Sequence, residues 1–403
     1  MLDQAVMGME LVAERMAPGP GPARVEVFGF DVAEISQIRR IRAMVSAGHD
    51  VHSFTMRRQN MNRDFQPDWP NTHLFNTKDE NLLLRVAVVI GSVVKMAGFR
   101  DRLRRADMIF ARNMDMLAIA WAARSMAGAG RVPLIYECLD INGALCGDGL
   151  KNRVMRAAEK FLLDRIQLLV VSSPSFVSEY FEAIQGHHGP WALWENKLAA
   201  GAALPPRPTH RAAPAAGGPL RLGWVGTLRC ATSLALLAEV ADRMGPAVRI
   251  EMHGVVHRHA LPDFDAVVGA RDNIVYHGAY RYPDDLARLY GGCDLVWSQD
   301  LWQAEGNSDW LLPNRIYEAS WAGCPSIAVA GTETGRRVAA DGLGWALAEA
   351  SPAALIGLLE RLGPEEIRAT GQALLERPAE DFVQSLAEVE QVIADVRAGT
   401  AGR

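Results

Sequence analysis

The chain has 403 residues, 49% of them hydrophobic and 22% charged. That excludes disorder and a small secreted scaffold, and it suffices for two domains with cores that need neither disulfide nor structural metal. A formal net charge of −5 gives no global basic field to hold nucleic acid, and five scattered cysteines with no CxxC pair indicate neither a zinc site nor a disulfide framework, so a reducing compartment is expected.

The N-terminus, MLDQAVMGMELVAERM, is acidic and amphipathic and lacks the basic start and apolar core of a signal peptide. From Val25 the pattern is strand (VEVFGF), helix (DVAEISQIRRIRAMVSAG, with Gly48 at a C-cap position) and strand (HDVHSFT). The most apolar run, Leu82 to Gly98, is broken by Arg85 and Lys95, with nine uncharged residues between them, too few to span a bilayer. A local basic cluster follows at Lys95, Arg100, Arg102, Arg104 and Arg105. Laid on helices, this stretch can be a core-facing helix with a solvated basic turn, or an interfacial segment whose cations meet anionic lipid.

Alternation continues through DMIFARN, a helix over Met116–Ala127, VPLIYECLD, a helix over Lys151–Leu163 and QLLVVSS. Residues 199–219 are nearly all Ala, Pro and Gly, which builds no core and reads as a flexible linker. The pattern then restarts with LRLGWVG, a helix over Thr232–Met244, VRIEMHG, NIVYHG, a helix over Pro283–Tyr290, CDLVWSQ, IYEASWAG and PSIAVA. Short apolar strands alternating with helices predict two doubly wound parallel α/β domains, which bind ligands at the carboxyl ends of their strands.

The sharpest local signal is LPNRIYEASWAGCPSIAVAG, Leu312 to Gly331. Glu318 lies near the start of a short helix that ends at Gly323, ahead of a buried strand opened by Pro325. A carboxylate there can accept two hydrogen bonds from a ribose diol while the helix N-terminus faces phosphate, or it can be a solvent-facing helix glutamate.

The string PNRIYEASWAGCPSIA resembles the donor-site signature of the GT-B fold glycosyltransferases, above all family 4 (group 1). WVGTLR, IEMHG and NIVYHGAYRYPDDLARLYGGCDLVWSQD resemble its flanking segments, densely over 220–330 and loosely from residue 25 onward. The resemblance implies an N-terminal acceptor domain (1–198), a linker (199–219), a nucleotide-sugar donor domain (220–378) and a C-terminal helix (379–403) crossing back to the first domain. On the donor side it places Gly226 and Thr227 against a diphosphate, where the missing Cβ permits close approach. Arg229 and Arg315, beside Asn314, become its cations. His253 and Gly254 end a strand in the same cleft, although a lone histidine is more often structural, and Tyr280 with Arg281 lies in the loop expected at the nucleobase. Family 4 often has a glutamate eight residues before the Glu318 position; here Trp310 stands there, so the sugar falls to Asn307, Ser308 or backbone amides.

On the acceptor side, FGFD puts Asp31 after the first strand with Glu34 one turn on, and Asp140 ends IYECLD. Asp140 is the stronger acceptor-side candidate, as a general base under inversion or a sugar ligand under retention, although an aspartate there also suits a helix cap. With Asp140, Asp31 and Arg229 as catalytic candidates, the expected activity is transfer of a sugar from a nucleotide diphosphate donor to a hydroxyl of a glycan or polyisoprenyl-linked acceptor in surface or exopolysaccharide synthesis, with retention. No cofactor or metal is expected, since no DxD cluster sits at a strand end near the phosphates. The expected location is cytoplasmic, peripheral on the inner membrane face. Competing readings are a non-catalytic GT-B nucleotide-binding scaffold and a nucleotide-sugar epimerase or hydrolase.

Overall fold

The computed structural model describes residues 21–58, 65–77, 82–199 and 204–399. The acidic N-terminal segment and residues 200–203 of the Ala/Pro/Gly stretch lie outside them.

Two all-parallel sheets organise the chain. The first has seven strands, β1 (Arg24–Gly29), β2 (Asp50–Arg58), β3 (Asn71–Thr77), β4 (Met108–Arg112), β5 (Leu134–Cys138), β6 (Leu168–Val171) and β7 (Trp191–Leu193). Their order is β3-β2-β1-β4-β5-β6-β7. The second has six, β8 (Leu220–Val225), β9 (Val248–His253), β10 (Ile274–Tyr276), β11 (Leu295–Trp297), β12 (Ser326–Val329) and β13 (Gly344–Leu347), in the order β10-β9-β8-β11-β12-β13. Helices cover both faces, so central strands such as Met108–Arg112 are buried along their whole length and read as continuous apolar runs. Three strands escape the sequence pattern. β3, NTHLFNT, is a polar edge strand, β7, WAL, is a three-residue strand at the opposite edge of the same sheet, and β13, GWAL, extends the second sheet beyond the expected closing strand PSIAVA.

In each sheet the strand order reverses beside the first strand of its domain, between β1 and β4 and between β8 and β11. The loops leaving β1 and β8, carrying Asp31 and Gly226, therefore open at the two switch points, where such sheets leave a crevice. Contacts across the cleft join the halves: Arg39 to Glu318, Asp140 to Asn307, Ser175 to Glu333, and Ser173 to the Trp310 carbonyl.

The chain returns to its starting domain. Val389, Ile393 and Val396 of the last helix (Leu386–Ala398) share a core with Val25, Val27, Ile41 and Met44. Where the chain leaves the first domain it pairs with the returning segment, Leu198 bridging Val383 in parallel, with Leu198 N donating to Phe382 O at 3.0 Å and Gln384 N to Leu198 O at 2.9 Å. The described part of the linker is pinned rather than free. Arg207 donates to the carbonyls of Trp321, Leu374 and Arg377 at 2.7–2.9 Å, and buried Arg211 donates to those of Tyr290, Cys293 and Asp294. Two arginines within a low-complexity stretch supply the anchorage that its composition conceals.

Candidate active site

The second domain builds one wall from glycines. Gly226 ends β8 at φ +114° and Gly254 ends β9 at φ +134°, a region that a side chain with Cβ rarely enters. Backbone bonds lace the strand ends together, Gly226 N to His253 O at 2.9 Å and Gly254 N to Gly278 O at 2.8 Å. A Cβ on Gly254 would stand 1.7 Å from the Gly226 carbonyl oxygen, so this wall tolerates nothing larger than glycine.

The sequence-predicted cations converge here. Arg315 Nη2 would lie 3.8 Å from a Cβ on Gly226, and its Nη1 is 3.4 Å from the Trp297 carbonyl at the end of β11. Arg229 Nη2 lies 3.6 Å from Asp300 Oδ2, with its guanidinium 5.9 Å from the Trp302 ring centroid. Thr227 is exposed. Asn314 opens the helix Asn314–Trp321, whose N-cap position is Pro313 and which no side chain caps. Its first amides are thus left for an anion.

Glu318 is 4% exposed, so it is not a solvent-facing helix residue. Its Oε1 accepts from Arg39 Nη2 at 2.5 Å and its Oε2 from the Tyr290 hydroxyl at 3.0 Å. Arg39 stacks over the Tyr282 ring at 4.1 Å, and its Nε and Nη1 are buried with no hydrogen-bond partner among the described residues. Burial, reinforced by the Glu318 charge, raises the pKa of Tyr280, which stands beside them, partly buried. The position expected to hold a ribose diol is therefore already occupied by a guanidinium from the opposite domain.

Across the cleft, Asp140 does not cap the next helix. Asn142 does, its side chain accepting from Ala144 N. Asp140 instead reaches the second domain, Oδ1 accepting from Asn307 Nδ2 at 3.2 Å, while Asn307 Oδ1 accepts from Ile141 N at 2.7 Å. Asp140 opens to solvent within the cleft, yet enclosure between the two walls raises its pKa. Arg229 and the Asn307 bond pull against that rise, and Asp300 and Glu34 push with it. A carboxylate so placed is a better proton acceptor than a surface aspartate.

Asp31 is fully buried, Oδ1 accepting from Ala33 N at 3.1 Å and Oδ2 lacking a partner among the described residues. Burial raises its pKa, opposed by the amides of Ala33 and Arg58. Glu34 caps the helix Ile35–Ser46 through the amides of Ser36 and Gln37. Behind it, Arg112 and Glu137 sit in register on β4 and β5 and pair at 2.8 Å, with Arg40 on the other Glu137 oxygen at 2.7 Å. Burial pushes Glu137 up, but the two guanidiniums hold it below the usual carboxylate range. Burial lowers Arg40 to about 10.

The segment beside the missing glutamate acts as a bridge. Asn307 holds Asp140, and Ser308 donates to Asp300 Oδ1 at 2.8 Å. Trp310 packs against the first domain's core, its ring 6.5 Å from that of Tyr180. Asp300 thus links Arg229 to the Asn307–Trp310 helix. It was not singled out by sequence, although SQD directly follows a buried strand, the usual place for a cleft residue. His253 does not aim a free ring at the cleft, since it stacks on His277 at 4.3 Å and 8°. Burial and His277 lower its pKa to about 4.

The basic cluster is partly engaged within its own domain. Arg102 pairs with buried Glu26 at 2.9 Å, Arg104 with Asp101 at 3.3 Å and the Ala127 carbonyl, and Lys95 donates to the His73 carbonyl at 2.7 Å. Arg102 is half-buried, whereas Lys95, Arg100, Arg104 and Arg105 stay exposed, as do Ile90 (60%) and Val94 (68%) on the helix Leu82–Lys95. Among the described residues no helix is long and apolar enough to cross a membrane.

Residues 39–196 match the family model described as a glycosyl transferase 4-like domain. Succinoglycan biosynthesis protein ExoL of Rhizobium meliloti (strain 1021) is 35% identical over 336 residues, covering 83% of each chain. Among solved structures, Anabaena Alr3699/HepE in complex with UDP and glucose matches with a TM-score of 0.64 at 14% identity, over 93% of this chain and 99% of that one. WaaG, a glycosyltransferase involved in lipopolysaccharide biosynthesis, matches with a TM-score of 0.60 at 15% identity, over 93% and 100%.

Proposed function

The chain is a family 4 glycosyltransferase of GT-B fold, and from that premise we propose that it transfers a sugar from a nucleotide diphosphate donor to a hydroxyl of a glycan or lipid-linked acceptor in exopolysaccharide synthesis, with retention. The observation that carries the reading is the convergence, at the two switch points, of a glycine wall with Arg315 beside it and of Arg229 facing Asp140. ExoL, named for succinoglycan biosynthesis, supports the polymer class, and the HepE complex with UDP and glucose supports the donor class.

The loop at Gly226 and Thr227, the guanidiniums of Arg229 and Arg315 and the amides opening the helix at Asn314 receive the diphosphate. They stabilise the charge that builds on it as the glycosidic bond breaks, so this chemistry asks for no metal. Glu318 takes the ribose once the Arg39 guanidinium withdraws with the opposite domain, Gly254 and the loop at Tyr280 border the nucleoside, and Asn307 and Ser308 lie toward the sugar. Under retention the leaving diphosphate accepts the acceptor proton, and Asp140 orients the sugar or the attacking hydroxyl, with Asp31 beneath. The exposed Ile90 and Val94, together with Arg100 and Arg105, form the face that meets the inner surface of the membrane.

The test is thermal unfolding of the purified protein with UDP, GDP, ADP, TDP or CMP. A diphosphate held at a hundred times its dissociation constant stabilises by roughly 2.7 kcal/mol. A selective shift with one diphosphate is expected; no shift with any of them overturns the donor assignment.

A further inference from the structure

At the edge of the second sheet lies a cluster that the transfer reaction does not use. Val275 of β10 stands opposite Glu251 of β9 and Tyr276 opposite Met252, so the next residue, His277, falls opposite His253. Alternation along β9 puts Glu251 and His253 on one face, and the register adds His277 to it. The side chains meet accordingly. His277 Nε2 lies 2.6 Å from Glu251 Oε2, the two imidazoles stack at 4.3 Å, and one donor atom from each of the three residues lies within 4.8 Å of the others. Glu251 (9% exposed) and His253 (8%) are buried, whereas His277 is open to solvent.

We propose that Glu251, His253 and His277 form a binding site for a divalent transition-metal ion of the zinc class. Two imidazole nitrogens and one carboxylate oxygen suit zinc, with water completing the tetrahedron past the exposed His277; magnesium and calcium prefer all-oxygen shells. The remaining Glu251 oxygen accepts from Arg249 Nε at 2.9 Å, which fixes the carboxylate as an outer partner does around established metal sites. Nearly parallel rings share no in-plane point, so coordination requires the exposed His277 ring to turn out of the stack; its Nε2 lone pair, on the nitrogen that now faces Glu251, then meets the ion, and any proton there moves to the other ring nitrogen or, from a charged ring, leaves to solvent. The site does not depend on the donor reading, but it adjoins that wall, since Gly226 N donates to the His253 carbonyl.

The experiment uses the full chain, stripped with a chelator and then titrated with zinc chloride by calorimetry, with cobalt chloride as an optical probe. Expected are one zinc ion per chain, the visible absorption of tetrahedral cobalt, a rise in Tm with zinc and none with magnesium. His277→Ala and Glu251→Gln should each weaken zinc binding at least tenfold, their circular dichroism unchanged. No zinc binding at micromolar concentrations overturns the proposal. So does binding that survives both substitutions, which would assign the ion to another pair such as His257 and His259, whose rings lie 5.4 Å apart.

Discussion

Replacing Glu318 by glutamine removes one charge and almost no volume. The side chain of Glu318 is 5% exposed and that of Arg39 7%, so the substitution strands a guanidinium whose Nε and Nη1 already lack partners among the described residues. Breaking a buried pair by neutralising one member costs about 3–5 kcal/mol. At roughly 2.1 cal/mol/K of unfolding entropy per residue, a chain of 403 residues melting as one unit loses about 5 °C for 4 kcal/mol. Removing both charges relieves the penalty, so Arg39→Met combined with Glu318→Gln should melt above Glu318→Gln alone, a positive coupling in the double-mutant cycle. The assay is thermal unfolding of the four proteins, with and without the selected nucleoside diphosphate. Glu318→Gln should lose the ligand-induced shift and Arg39→Met should keep or enlarge it, since the carboxylate is then free for ribose. A Glu318→Gln melt within about 1 °C of the parent, or strictly additive effects, would refute the buried pair. An undiminished ligand shift in Glu318→Gln would refute the ribose role.

Asp140→Ala should leave nucleotide binding within about twofold and abolish transfer to acceptor, as read by calorimetry beside a product assay; retained turnover removes Asp140 from the site. Gly254→Ala forces a methyl onto the Gly226 carbonyl at a φ of +134°, so nucleotide affinity should fall at least tenfold, and an unchanged dissociation constant would show that the two loops do not make one wall. Substituting Arg100 and Arg105 with glutamine, or Ile90 and Val94 with serine, should each reduce co-sedimentation with anionic vesicles. Equal sedimentation of all variants would end the membrane reading.

The architecture was legible because fully buried parallel strands leave continuous apolar runs, and because the wall around Gly226 and Gly254 demands residues without a Cβ. Glu318 was legible through a signature confined to one helix–strand unit. Arg39 was not, since its partner lies 279 positions away and local periodicity marks no such pairing. Its neighbour Arg40 left a faint trace, a charged residue in the stripe of Gln37, Ile41 and Met44 that otherwise buries. Charge counted along the sequence likewise does not reveal Glu26 buried beneath Arg102, a pairing across 76 positions. β3 was missed because both faces of this edge strand are thinly covered, Leu74 alone being buried among residues 71–76, so it leaves no continuous apolar run.

The paired crossing at Leu198 and Val383 has a mechanical consequence. Two independent tethers would let the halves slide, twist and separate, each with its own slack. Tied side by side by two backbone hydrogen bonds, they act as one strap with a single bending axis, and Arg207 and Arg211 take up slack on the outgoing side. Any opening between the halves is then a rotation like that of a book about its spine, greatest at the outer edge of the cleft and least beside the strap. Cutting either connection alone should leave the halves associated, because the other still holds the axis.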